Sequence, residues 1–313
     1  DESLVGVASL DDVTHTLRFN TPAGHPPGAF GVKKYVVWNV REGLRQPGQW
    51  YLDRSAGKVV YWPRPGQNMA KAKAIAPTSE TDIRVRGSKD APVKNVTLKR
   101  LKLAVTGTPL KSGGFGAGRF DGAVSLSQAE GCRLEGLTVE NVGGQAIKAA
   151  SVTGLQVEGC EIRQIGACGV QVSGNGGVIA NNHVHHVGLT YPSAIAVTAS
   201  GHGHQISHNE VHDMPYSAIT VGGNNHRVEK NLIYHAMKEL HDGAGIYITF
   251  CSNVVVRGNV IRDIVDTGGY GASAYYLDEQ ARNCLVENNL SLGVGFATQN
   301  HMATNNVFRG NVF

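Results

Sequence analysis

From about residue 95 onward, apolar and polar positions recur on fixed columns. The residues Leu101, Leu137, Cys160, Asn182, Asn209, Asn231, Asn259, Asn289 and Asn311 mark one such column. After the first gap they follow one another at spacings of 23, 22, 27, 22, 28, 30 and 22 residues. Three residues before each marker stands an apolar side chain: Leu98, Leu134, Val157, Ile179, Ile206, Val228, Val256, Val286 and Phe308. Two residues after it stands a second: Leu103, Val139, Ile162, Val184, Val211, Ile233 and Ile261, with Ser291 as the lapse. A period just over 20 residues, lengthened at intervals, is what a stack of short strands requires. Stacked about 4.7–4.9 Å apart, such rungs would bury both columns. At about 1.5–3 kcal/mol per buried aliphatic side chain, the columns offset much of the ordering entropy of their strands.

The six asparagines suit a bend between strands, where stacked amides bond the rungs above and below. A third strand follows, opening on a small residue (Ala146, Gly169, Ala194, Ala218, Gly245, Ala274, Gly295). Its inward positions are Ile147, Val170, Ile195, Ile219, Ile246, Tyr275 and Phe296. Alternation sends the next residue outward: Lys148, Gln171, Ala196, Thr220, Tyr247, Tyr276 and Ala297. A second outward column reads Ala150, Ser173, Thr198, Gly222, Thr249, Asp278 and Gln299. The three long spacings all lengthen the connection before this strand, by residues 188–193, 237–244 and 265–273. Enlarged loops along one side of a rigid stack wall off a groove, the usual place for function.

The pattern predicts an all-β chain. Residues 91–313 read as a right-handed parallel β-helix, expected to continue past Phe313, where a rung stops without a polar cap. Residues 1–90 do not fit the repeat. Strand-like pieces at Tyr35–Val40, Gln49–Asp53 and Lys58–Trp62, separated by Gly/Pro turns, predict a small antiparallel β unit.

Composition agrees with a solenoid: 40 glycines in 313 residues, and only 17% charged residues. A net charge of +4 argues against a nucleic-acid partner. No apolar run is long enough to span a membrane, so no membrane partner is expected. Cys132, Cys160, Cys168, Cys251 and Cys284 form an odd set without a CxxC pair; Cys132, Cys160 and Cys284 sit within apolar strand patterns and are read as small buried core residues.

Two acidic motifs face the predicted groove, His241–Tyr247 (HDGAGIY) and Tyr275–Glu279 (YYLDE). Asp278 is outward by alternation, next to Tyr276, with Thr249 and Gln299 on the neighbouring rungs. Asp242 would approach it only if its loop folds back over the strand face. Two carboxyl groups about 5–9.5 Å apart suit acid-assisted glycosidic cleavage, one protonating the leaving oxygen, the other attacking or activating water. Neighbouring tyrosines would desolvate a carboxyl group and stack on a sugar. Asp in a Gly-rich loop is also a common turn former. Glu279 is the alternate acid and Asp266, in the longest loop, a reserve. His301 is placed for substrate contact. His186, Asp213, His235 and Asp263 share a column four residues after the marker. They read as a polar turn stack rather than a ligand set, and neither metal nor cofactor is expected.

These residues resemble bacterial carbohydrate-active β-helix proteins, most of all glycoside hydrolases that include β-xylosidases and xylanase- or α-fucosidase-like enzymes. The resemblance rests on Trp38–Val40, Pro47–Asp53 and Val60–Pro63 in the first part, then on Asp242–Tyr247 and Tyr276–Glu279. Such enzymes carry a β-rich insertion between helix rungs, which makes Asp1 look like a trimmed start. The resemblance implies a carbohydrate substrate, a secreted or periplasmic location, and a catalytic pair within the two acidic motifs. Asp242 and Asp278 come first, with His241, Tyr247, Thr249, Tyr276, Gln299 and His301 contacting substrate. A polysaccharide lyase or epimerase, and a non-catalytic glycan-binding solenoid, remain the alternatives, because β-helices host several chemistries. A lyase would need a base such as Lys148, Lys238 or Arg262.

Overall fold

The computed structural model describes residues 2–24, 26, 28–29 and 34–313. The chain forms two compact units, one of Asp1–Gly24 with Pro77–Phe313, the other of His25–Ala76. The division read from sequence at residue 90 thus differs from the observed one. The reason is local: strand Ile83–Arg86 already pairs with the coil strand Gly122–Glu130.

Among the described residues, the larger unit is a right-handed coil of three parallel sheets without an α-helix. The first sheet has nine strands, from Thr97–Lys99 to Val307–Arg309, and the second has eight, from Lys102–Thr106 to Leu290–Val294. The third has ten on its main path, from Ile83–Arg86 to Phe296–Asn300. The apolar column before the marker runs unbroken along the first sheet from Leu98 to Phe308. The column after it runs along the second sheet from Leu103 to Ser291. From Val139 to Ile261 that second column is wholly buried. A hairpin, Val7–Asp11 with Thr16–Phe19, adds two exposed strands that no sequence signal predicted.

The asparagines form a continuous ladder at the bend. Each side-chain amide donates to the next Oδ1, from Asn182 through Asn209, Asn231, Asn259 and Asn289 to Asn311, at 2.9–3.0 Å. The same oxygens accept the backbone N–H of the preceding asparagine. The second amide hydrogen reaches an earlier rung's carbonyl, as from Asn231 to Ile206 at 3.0 Å. Four side-chain hydrogen bonds, as at Asn231, explain why an amide can be buried here.

On the third sheet the register departs from the sequence reading twice. Val197, not Ile195, pairs with Val170 and Ile219. Thr298, not Phe296, pairs with Tyr275. Each strand is therefore displaced by two residues against its neighbour, Phe296 pairing with Ser273. A slip of two preserves the inward and outward sets, but Phe296, read as inward, is exposed on the last strand of the sheet. All five cysteines are free and buried.

In the smaller unit Trp50–Asp53 and Lys58–Tyr61 form an antiparallel hairpin. The predicted strand Tyr35–Val40 is not one. Asn39, at φ 57, instead clamps Leu52 through its side chain, accepting from the Leu52 N–H at 2.7 Å and donating to its carbonyl at 3.2 Å. An amide side chain there replaces the backbone partner that a strand would have supplied.

Candidate active site

Strands Gly243–Ser252 and Ala272–Leu277 lie side by side on the third sheet, pairing Ile246 with Tyr275, Tyr247 with Tyr276 and Ile248 with Leu277. Ile246, Ile248, Tyr275 and Leu277 enter the core, which turns Tyr247 and Tyr276 outward. Their rings meet edge to face at 5.0 Å and close over Ala244 in a small apolar cluster outside the coil.

Asp278 follows directly, its N–H donating to the Ile248 carbonyl at 2.9 Å. The Tyr247 hydroxyl donates to Asp278 Oδ2 at 2.5 Å, and His301 Nδ1 lies 2.8 Å from Oδ1. Asp278 points out of the coil as alternation predicted, yet it is only 6% exposed. Tyrosine and imidazole from the rungs on either side cover it, and a one-strand pattern cannot register its neighbours.

Asp242 ends the loop of residues 237–244 in the left-handed region, at φ 59. Its N–H donates to the Gly271 carbonyl at 2.8 Å, and its own carbonyl accepts from the Tyr216 hydroxyl at 2.7 Å. Gly243 makes this close approach feasible, because a Cβ there would stand 2.5 Å from Ser217 Oγ and 2.8 Å from the Tyr216 ring. The charges of Asp278 and Asp242 both reach the Tyr276 hydroxyl, and that of Asp278 reaches Asp242.

The electrostatics differ between the two ends. Asp242 stays exposed at the rim, but partial desolvation raises its pKa, aided by the charge of Asp278 and opposed by His241 and His301. Burial raises the pKa of Tyr216, Tyr247 and Tyr276 as well, and the carboxylates push them further. The three phenols are thereby kept as donors. Tyr216 escaped the sequence reading. Its only signal was an aromatic residue in the connection one rung ahead of the acidic loop.

The other predicted residues divide. His241 borders the site, its ring 6.0 Å from Tyr270 and its Nδ1 accepting from the Tyr270 N–H at 3.4 Å. Thr249 donates to the Glu279 carbonyl at 3.3 Å, and the Phe250 N–H donates to the same oxygen at 2.7 Å. Glu279 thus enters the site's framework through its backbone. Gln299 pairs with Tyr276 rather than standing beside Asp278, and accepts from Ser273 Oγ at 3.1 Å. The two-residue slip moves His301 into the place expected for Gln299. Asp266 accepts from the Gly268 N–H at 2.9 Å, as a turn former does.

The three basic residues considered for a lyase are held elsewhere. Lys148 donates to the Gly118 and Phe120 carbonyls, Lys238 to Asp213, and Arg262 lies 4.3 Å over the Tyr234 ring. His186, Asp213, His235 and Asp263 all have φ between 50 and 56, the turn conformation expected of them.

Residues 122–313 match the family model for the right-handed β-helix region. No curated protein matches the chain. A solved glycoside hydrolase superposes with a TM-score of 0.79 and 25% identity, covering 88% of this chain and 58% of the other. The complex of XylC with xylose superposes with a TM-score of 0.56 and 15% identity, covering 82% and 47%, a likeness of fold alone. The chain therefore spans about half the length of the solved structures it resembles.

Proposed function

We propose that this chain, which belongs to the right-handed β-helix family, hydrolyses a glycosidic bond held between Asp242 and Asp278. The observation that carries the reading is Asp278 held by Tyr247 and His301, with Asp242 near enough for the charge of Asp278 to raise its pKa. Their environments assign different tasks. Asp242, with its raised pKa and open rim position, donates the proton to the leaving oxygen. Asp278 accepts from Tyr247 and His301, which fix its oxygens while it acts as nucleophile or activates water. Tyr216, Tyr247 and Tyr276 supply donors and ring surface to hydroxyl groups and a sugar face. A site surrounded by tyrosines, with Lys148, Lys238 and Arg262 engaged elsewhere, suits a neutral sugar, of the xylose or fucose kind, better than a uronate.

The test is a panel of aryl xylosides, fucosides, galactosides and arabinosides, with natural oligosaccharides, assayed on wild type, Asp278→Asn and Asp242→Asn. General acid–base participation is typically worth about 10²–10⁴ in rate, and each amide variant is expected to lose that much. Near-full turnover in both variants would move the site elsewhere. A second reading, eliminative cleavage, draws on His301, which Asp278 orients through Nδ1 and whose side chain is 56% exposed. Products carrying an absorbing double bond would select it.

A further inference from the structure

The second sheet carries a histidine cluster that the groove does not use. Val184, Val211 and Ile233 point into the core, so their neighbours in each strand point outward. Glu161, His183 and Glu210 form one outward column, and His185, His212 and Tyr234 the next.

The protons on these rings can be assigned from their partners. His183 Nδ1 lies 3.0 Å from Glu161 Oε2, and His212 Nδ1 lies 2.8 Å from Asp213 Oδ2. A carboxylate only accepts, so both Nδ1 atoms carry hydrogen, and in neutral rings both Nε2 atoms carry lone pairs. Those two Nε2 atoms stand 2.8 Å apart. Two lone pairs facing at that distance repel, and the arrangement calls for a positive charge between them.

A third donor converges on the same point. One ligand atom from each of His183, Glu210 and His212 lies within 4.8 Å of the others. Tyr234 donates to Glu210 Oε1 at 2.7 Å, which orients that carboxylate and leaves Oε2 available. The rings are also held in place. His212 stacks between His185 at 4.9 Å and Tyr234 at 4.5 Å, and Glu161 bonds His185 as well as His183.

We propose that His183 Nε2, His212 Nε2 and the Glu210 carboxylate form a binding site for a divalent transition-metal ion, zinc above all, on the outer face of the second sheet. Imidazole and carboxylate are borderline ligands suited to such an ion. Ring nitrogens that hand their second hydrogen to a carboxylate, as both do here, are the usual outer partners of a metal site. Metal–nitrogen bonds of about 2.0–2.1 Å require the two Nε2 atoms to part by about half an ångström. A shared proton would relieve the lone pairs too, but it engages two nitrogens and gives Glu210 no part. The proposal departs from the sequence expectation of no metal. The column weighed there, His186 with Asp213, His235 and Asp263, supplies turns; of it, Asp213 bonds His212, and His186 meets the His185 ring edge to face.

The experiment strips the intact chain with chelator and titrates Zn²⁺ alone, by calorimetry and against a zinc-responsive dye. One ion per chain with Kd below about 1 μM is expected. His183→Ala and Glu210→Gln should each weaken binding at least tenfold, and His208→Ala, an exposed turn histidine, should leave it unchanged. Glu210→Gln keeps the side chain's size and carries the test if His183→Ala fails to fold. Cobalt should give the intense visible bands of a four-coordinate ion in wild type only. No stoichiometric zinc, or equal affinity in wild type and both variants, overturns the site and leaves a shared proton as the explanation.

Discussion

The Tyr247 hydroxyl donates to Asp278 Oδ2 across two rungs of the coil, at 2.5 Å. The orientation of the buried acid is therefore set by the preceding turn as much as by its own strand. Hydrogen bonds to charged groups are worth about 1.5–3 kcal/mol. Tyr247→Phe should lower turnover about 10- to 100-fold on any substrate the wild type cleaves, and lower the thermal midpoint by several degrees while leaving the fold intact. Unchanged turnover would show that Asp278 needs no such partner.

Asp242 gives a sign for the pH profile. A proton donor works while protonated, so activity persists below its pKa and is lost as pH rises through it. Because burial and Asp278 raise that pKa, the alkaline limb should fall above the ordinary carboxylate range of about 4. Asp242→Asn should erase the limb from the residual rate. A limb centred at or below that ordinary range would remove Asp242 from the role.

A buried pair elsewhere governs acid stability. His204 and His226 stack at 5.2 Å inside a bend of the coil, each accepting a backbone N–H on Nδ1. Burial, then His204, pushes His226 down to about 4, and burial lowers His204 as well. The unfolded chain, with histidine near 6.5, binds protons more readily than the native one. The stability this pair contributes is complete above about 6.5 and drains away as pH falls toward about 4, by about 2 kcal/mol at pH 5 from His226 alone. Asn306 shows the remedy at the same bend, its Oδ1 accepting the Cys284 N–H and its Nδ2 donating to the Ala281 carbonyl. Urea midpoints at pH 7 and pH 5 should therefore diverge less in His226→Asn than in wild type. Equal divergence would contradict the assignment.

Asn231→Ala strips four hydrogen bonds from the middle of the ladder, orphaning groups on Asn209, Ile206 and Asn259. Each unpaired buried group costs about 1–3 kcal/mol, with partial relaxation, so a loss of about 3–5 kcal/mol is expected. The exposed neighbour Lys230→Ala should change little. Similar urea midpoints for the two variants would mean the ladder is dispensable.

Much of the coil was legible because the asparagine bend tolerates no insertion, so the first two sheets keep their columns from one end to the other. The third sheet was legible only modulo two. Loops of variable length precede it, and alternation cannot distinguish Ile195 from Val197 or Phe296 from Thr298, since both choices keep the same parity. That slip misplaced Gln299 and undervalued His301. Asp242 and Asp278 stand out as candidates through their motifs, but the burial of Asp278 was not legible, because it depends on side chains from the rungs above and below. Tyr216 and the His183–His212 contact arise from packing between strands far apart in sequence, and no local pattern encodes them.

The asparagine bend and the corner that accepts insertions sit at different places in every rung. Crossing two related chains at their asparagines would exchange whole turns, each with its own piece of groove wall still attached. The molecule is divided in this way into interchangeable cassettes. Preference for one ligand over another can drift a cassette at a time, while the interior, built to a common gauge, accepts each replacement unaltered.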